Sequence, residues 1–192
     1  CIRDSLAIAV FTDNRELFDN AVYHYLHANA NGSLIKYIYP TGQCQETRRD
    51  QGHVQMGLYE FSGAARIAYT QGVDLFSAAD NRLALGLEYS ARFICGDSVY
   101  AYGVPSQRER FKYRAGFEHC IDHFTAKGVN MPYLKELCSR TNMNNPANAL
   151  WKLTAFREEF RQKPYELIDI QESKIACLLY TSDAADDGES VD

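Results

Sequence analysis

Apolar positions along the chain recur at spacings of three and four and never alternate with period two over a useful length, so the pattern predicts helices throughout. Leu6 to Phe11 reads as the last turns of a first helix. Leu17, Phe18, Val22, Tyr23, Tyr25 and Leu26 form the buried stripe of a second, capped by Asp13 or Asn14 and ended by Ala28 to Gly32. Ser33 to Tyr39 fits a short helix or an extended segment, stopped in both cases by Pro40 and Gly42. The strongest signal runs from about Gln51 to Gln71, where Val54, Met56, Leu58, Phe61, Ala64, Ala65, Ile67 and Ala68 keep a broad apolar face. Small residues within it allow another element to approach closely. Further helices are predicted over Ala78 to Cys95, Arg108 to Ala126, Met131 to Ser139 and Pro146 to Gln162, with a Tyr- and Gly-rich loop over Gly96 to Gln107. The fold class is therefore all-α, and antiparallel helix pairs alternating inward and outward around a central cleft fit the pattern.

The 192 residues are 46% hydrophobic, which is enough for a real core, yet no run of eighteen apolar residues exists to span a membrane. Both ends read as foreign. Cys177-Leu178-Leu179-Tyr180-Thr181-Ser182-Asp183 resembles a translated transposon-end sequencing adapter, and Cys1-Ile2-Arg3-Asp4 reads as the same adapter from the opposite strand. The codons TGT ATA AGA GAC A give the start, and their reverse complement opens Cys-Leu-Leu-Tyr. Residues 1–5 and 177–192 are accordingly expected to be adapter-derived, and 6–176 a partial natural domain. The net charge of −5 then belongs to the tail, which carries Asp183, Asp186, Asp187, Glu189 and Asp192 and no base. The natural part is near neutral. Of its four cysteines (Cys44, Cys95, Cys120, Cys138) none lies in a Cys-x-x-Cys pair, so no metal site is expected. One disulfide among them stays open.

Chemistry concentrates between Tyr39 and His53, where Gln43, Gln45, Glu46, Arg48, Arg49, Asp50, Gln51 and His53 lead into the longest helix. So many polar groups at a helix start are costly to bury without a ligand or a network to satisfy them. The backbone N–H groups there also favour an anion. The stretch reads as half of a cleft for an acidic sugar chain.

The residues Asn31-Gly32-Ser33-Leu34, the run Gln45-Glu46-x-x-Arg49-Asp50-Gln51-Gly52-His53, then Gly72-Val73-Asp74-Leu75 and Asp80-Asn81-Arg82-Leu83, resemble the alginate-lyase-like superfamily of polysaccharide lyases. The resemblance covers about residues 6–140 and is closest to mannuronate- and glucuronate-cleaving members with an α/α-toroid domain. It implies an incomplete α/α toroid, a secreted or periplasmic setting, and a uronan substrate cleaved by β-elimination. An Asn or Asn-His element, which it places on an earlier helix, would precede residue 1. The family's later Arg-x-x-Tyr-Glu-x-x-Tyr-Asn-His helix is represented by Arg114 to His123 with neither Tyr in register, leaving Tyr113 as the substitute.

Removing the proton beside a uronate carboxylate requires that the carboxylate be neutralised, that the developing charge meet positioned donors, and that a base be at hand. The resemblance implies His53, Arg114 and Tyr113 as catalytic residues, and Gln45, Glu46, Arg48, Arg49 and Gln51 as substrate-binding ones. No cofactor is needed. Structural alternatives stand beside these roles: His53 as a satisfied histidine among Glu46, Arg49 and Asp50, Arg48 or Arg49 as an intramolecular ion-pair partner, and Tyr113 as packing. Tyr100 and Tyr102 are candidates to stack on sugar rings. Two other functions compete. One is a toroid glycoside hydrolase using Glu46 and Asp50 as paired carboxylates, although neighbouring Arg residues would spoil a general acid. The other is a non-catalytic carbohydrate-binding protein. The basic residues form no stripe, so no nucleic-acid partner is expected, nor a membrane; the oligomeric state is open.

Overall fold

A computed structural model of the chain describes residues 2–149. Every regular element among them is helical, and the only β-type pairing is an isolated antiparallel bridge between Ile38 and Cys44. The all-α expectation holds, as does that of packed helix pairs, the piece of an α/α toroid. Helices α1 (Ile2–Phe11) and α2 (Arg15–His27) form a hairpin, with Asn14 as the α2 cap: its Oδ1 accepts the Leu17 N–H at 2.9 Å. A short α3 (Leu34–Tyr37) follows, and then a tight turn. Pro40 leads this turn and Gly42 closes it at φ 88°, with the Gly42 N–H donating to the Tyr39 carbonyl at 2.9 Å.

Helix α4 (Gln51–Thr70) is the central rod, packed against α1 and against α5 (Ala78–Ile94). The first residues of α5 are a left-handed turn, Ala79, Asp80 and Asn81 all having φ between 50° and 59°, so the regular helix begins at Arg82. α6 (Glu118–Ala126) and α7 (Pro132–Ser139) close the described part, α7 lying on α5. The expected helix from Pro146 to Gln162 extends beyond the described residues, and the tail from Cys177 lies wholly outside them.

One expected helix, Arg108 to Ala126, is present only in its second half, as α6. Arg108 to Phe117 is not helical, so the loop after α5 continues to the start of α6. Glu109 has φ 59° and Gly116 φ 105°, values that a right-handed helix does not contain. The apolar spacing of Phe111 and Phe117 imitated a helix, but the backbone there finds its partners on α4 instead.

The core follows the predicted stripes. Tyr25 packs edge-on against Phe61 of α4 at 5.3 Å, and Tyr37 meets the same ring at 5.2 Å. Gly57 makes this possible, since a Cβ there would sit 2.1 Å from the Tyr37 hydroxyl oxygen. No disulfide joins Cys44, Cys95, Cys120 and Cys138 among the described residues.

A second core region gathers titratable groups. His123 stacks on Phe76 at 4.2 Å and lies edge-on to Tyr69 at 5.0 Å, with Nε2 3.7 Å from Asp74. Burial pushes His123 down to about 4 and the Lys127 ammonium adds to this, while Asp74 opposes it. Burial, with the Arg66 charge, pushes His119 down to about 3. Burial works against ionisation of Asp74, yet hydrogen bonds from Lys127 and Ser77 hold its carboxyl below the usual range.

Both histidines are therefore neutral in the folded chain, whereas the unfolded chain protonates them near their ordinary value of 6.5. As pH falls below 6.5 the unfolded state takes up more protons, and folding stability falls. Each histidine contributes about 1.4 kcal/mol of loss per pH unit once well inside the window, down to its folded value. Urea unfolding at pH 7 and pH 5 checks this: the midpoint drops at pH 5, and His123→Phe, which keeps the stack on Phe76, reduces the drop. An unchanged midpoint would overturn the assignment.

Candidate functional site

The start of α4 builds the site. Asp50 is its cap, extended at φ −172°, and its Oδ1 accepts the His53 N–H at 2.8 Å. The same carboxylate lies 2.8 Å from His53 Nδ1 through both oxygens. Residues at the cap and three further on share one face of a first turn, so one acid both caps the helix and orients the ring. Burial alone would raise the Asp50 carboxyl, but the bonds from His53, aided by Arg108 4.0 Å away, hold it below its ordinary range. An ionised carboxylate accepts a hydrogen bond, so in the neutral ring Nδ1 carries the hydrogen and Nε2 the lone pair. The side chain of His53 is 32% exposed against 2% for Asp50.

That exposed part faces a cavity of about 630 Å³. Glu46 and Arg49, from the 3-10 turn Gln45–Arg48 and its end, share the wall with His53, together with Asn31, and Met56 and Phe61 supply an apolar floor. Arg49 pairs with Glu46 at 3.4 Å while remaining 58% exposed. An ion pair this exposed is worth about 0–1 kcal/mol, so Arg49 can leave Glu46 for an incoming carboxylate at little cost. Ile2, Arg3 and Asp4, read from the sequence as adapter-derived, continue α1 and line the same cavity, with Arg3 3.2 Å from Glu60.

Other sequence candidates fall elsewhere. Gln45 and Arg48 are exposed and off this wall; Arg48 lies against the turn at Gly103. Gln51 is buried, its Nε2 donating to the carbonyls of Thr47 at 3.1 Å and Ser106 at 2.9 Å. Arg114 and Tyr113 are not brought to His53. The Arg114 N–H donates to Gln55 Oε1 at 3.0 Å, and Gln55 lies about 200° around α4 from His53, on the opposite face. His119 and His123, from the same expected motif, are buried in the core. Tyr100 and Tyr102 are exposed and edge-on to each other at 5.8 Å, off the cavity wall. Glu46 and Asp50 form no hydrolytic pair, since one is bonded to Arg49 and the other caps the helix.

Sequence reasoning passed over two features. The sequence places Asp50 in a network with His53 or in a carboxylate pair with Glu46, but Asp-x-x-His at a helix start is also the spacing of a capping residue and the side chain that reaches back to it. The second feature is a set of buried glutamines. Gln43 exchanges two bonds with Tyr102, at 3.1 and 2.7 Å, as a peptide neighbour would. Gln55 donates to the Lys112 carbonyl at 2.7 Å and accepts from Arg114. Gln51 and Gln55 hold the long loop on α4, and Gln43 holds it on the turn that precedes the helix. No spacing rule marks them, because their partners lie 55 to 59 residues away.

A family model described as Alginate lyase matches residues 4–99 of the chain. No curated protein and no solved structure matches it.

The glutamine clamp has a direct test. Gln55→Leu keeps the volume but strands the Lys112 carbonyl and the Arg114 N–H, at a cost of about 1–3 kcal/mol. Amide exchange should quicken across 102–116 far more than in the middle of α4. Equal protection of the loop in both proteins would contradict the clamp.

Proposed function

This chain belongs to the alginate lyase family, and from that premise we propose that it forms part of an enzyme cleaving a uronic-acid polysaccharide, mannuronan or glucuronan, by β-elimination. The observation that carries the reading is the Asp50–His53 pair: a buried, ionised acid fixing an imidazole whose other nitrogen is free at a cavity wall. His53 Nε2 takes the proton from C5. The electron pair forms the C4–C5 double bond as the C4–O bond breaks; the departing oxygen takes a proton from water, and the hydroxide left behind is neutralised by the His53 imidazolium. Arg49 leaves Glu46 to neutralise the uronate carboxylate, which is the condition for that C–H to become acidic. Glu46 and Asn31 then serve the sugar hydroxyls. Asp50 is a positioning residue, setting the tautomer that makes His53 a base.

Arg114 and Tyr113 have no part in this scheme, because they sit across α4. The reading includes residues 6–176 as a partial toroid domain between adapter-derived ends, in a secreted or periplasmic protein. No helix among the described residues is long and apolar enough to cross a membrane.

In the uninterrupted natural chain, His53→Ala should lower kcat/KM for a uronan by about 10²–10⁴-fold, read as the ultraviolet absorbance of unsaturated product, with circular dichroism unchanged. Asp50→Asn separates the two duties of that residue. Asparagine caps a helix as well as aspartate, so stability should hold. Its amide can donate to Nδ1, which moves the ring proton to Nε2 and removes the base. Full activity in either variant would refute the assignment. Reducing ends without the chromophore would indicate a hydrolase, and binding without turnover a carbohydrate-binding module.

A further inference from the structure

Asn31 and Gly32 both line the cavity at His53, and they form the only Asn-Gly pair in the chain. Every other asparagine precedes a residue with a β-carbon, which crowds the backbone nitrogen next to it. Asn31 is exposed. The pair ends a single 3-10 turn, Ala30–Gly32, that has no side-chain cap. Within that turn the Gly32 N–H donates to the Asn29 carbonyl at 3.3 Å, longer than the usual value of about 2.9 Å. Ala30 holds φ 51°, a left-handed value that its β-carbon disfavours. One long bond and one strained residue keep the Gly32 nitrogen in place, so the turn opens at low cost. Asn20 shows the contrast: it lies inside α2, where the helix fixes the backbone on both sides.

We propose that Asn31 is a site of spontaneous deamidation, which adds a carboxylate to the wall shared by His53 and Arg49. The Gly32 nitrogen gives its proton to hydroxide and attacks Asn31 Cγ. As the new C–N bond forms, the bond from Cγ to Nδ2 breaks and the side-chain nitrogen leaves as ammonia, taking a proton from water. The product is a five-membered cyclic imide. Water then adds to one of its two carbonyl carbons, a ring C–N bond breaks, and the nitrogen regains a proton. Opening at Cγ leaves aspartate. Opening at the backbone carbonyl leaves isoaspartate, with the main chain rerouted through the side chain. No oxidant or reductant takes part. In either product the cavity gains a negative charge. A volume of about 630 Å³ equals a sphere about 11 Å across, close to the screening length of about 8 Å at physiological salt. The new charge therefore competes for Arg49 and repels an anionic ligand across the cavity. Loss of affinity for the polymer rests on the uronan reading above; the covalent change does not.

Peptide mapping by mass spectrometry tests this on the whole chain, kept folded at mildly alkaline pH in water carrying heavy oxygen. Asn31 should take up one heavy oxygen, as aspartate and isoaspartate, ahead of Asn20 and Asn29, which share its tryptic peptide Glu16–Lys36. The rate should rise with pH. Gly32→Ala should slow the conversion severalfold. Asn31→Gln, which has to close a larger ring, should stay intact, and it gives a second reading if the added β-carbon, 3.2 Å from that of Ala28, disturbs the turn. Conversion of Asn31 in urea with the folded chain spared would overturn the proposal, as would a rate indifferent to Gly32→Ala. Titration calorimetry with a mannuronate tetrasaccharide reads the consequence. Asn31→Asp should weaken binding by about three- to tenfold, and added salt should shrink the deficit. Equal affinity of the two chains, or a deficit indifferent to salt, would overturn the charge effect. Conversion of Asn31 in a chain that binds no tetrasaccharide would remove the uronan reading and leave the modification standing.

Discussion

Backbone N–H groups in the first turn of an α-helix have no partner within the helix, and the way α4 meets this constraint organises the molecule. The Gln51 N–H donates to the carbonyl of Arg108 at 3.0 Å, and the His53 N–H donates to the Asp50 carboxylate at 2.8 Å. The first bond ties a distant loop to the helix start. The second places a negative charge where the helix dipole favours it, and leaves the same charge in reach of an imidazole. Structure and chemistry therefore share one turn.

Burial of Asp50 would be expensive if it were left unmet, since an isolated buried charge costs several kcal/mol. Here the acid accepts two kinds of bond from His53 and feels Arg108 besides, so it stays ionised. The three histidines of the core and site show how environment divides one residue type into different roles. His119 and His123 are enclosed by aromatic rings and held neutral, where they serve packing. His53 is the one that combines an ionised partner with partial exposure to a cavity.

The loop between α5 and α6 shows the same economy of side chains. Lacking helical or strand partners, its backbone is satisfied by the amides of Gln43, Gln51 and Gln55, each a carbonyl and an N–H on a short stem. Arg110 adds a further anchor, donating to the Phe93 and Asp97 carbonyls at 2.8 Å each and stacking on the Phe93 ring at 4.0 Å. The helical part of the clamp lies on the face of α4 away from His53, since Gln51 and Gln55 each stand about 200° around the helix from that ring.

Helix identity, the Asn14 cap, the Pro40–Gly42 turn and the long apolar face of α4 were legible in the sequence, because each depends on residues within a turn or two of one another. The Asp50-x-x-His53 spacing was legible on the same ground, whereas its double duty shows only where the carboxylate and the ring meet. Tertiary structure alone decided that 108–117 is loop rather than helix, that Gln51 and Gln55 are clamps, and that Arg114 stands apart from His53. The physical reason is common to all three. Local periodicity reports which side chains share a face, but a backbone hydrogen bond to a side chain more than fifty residues away leaves no periodic trace.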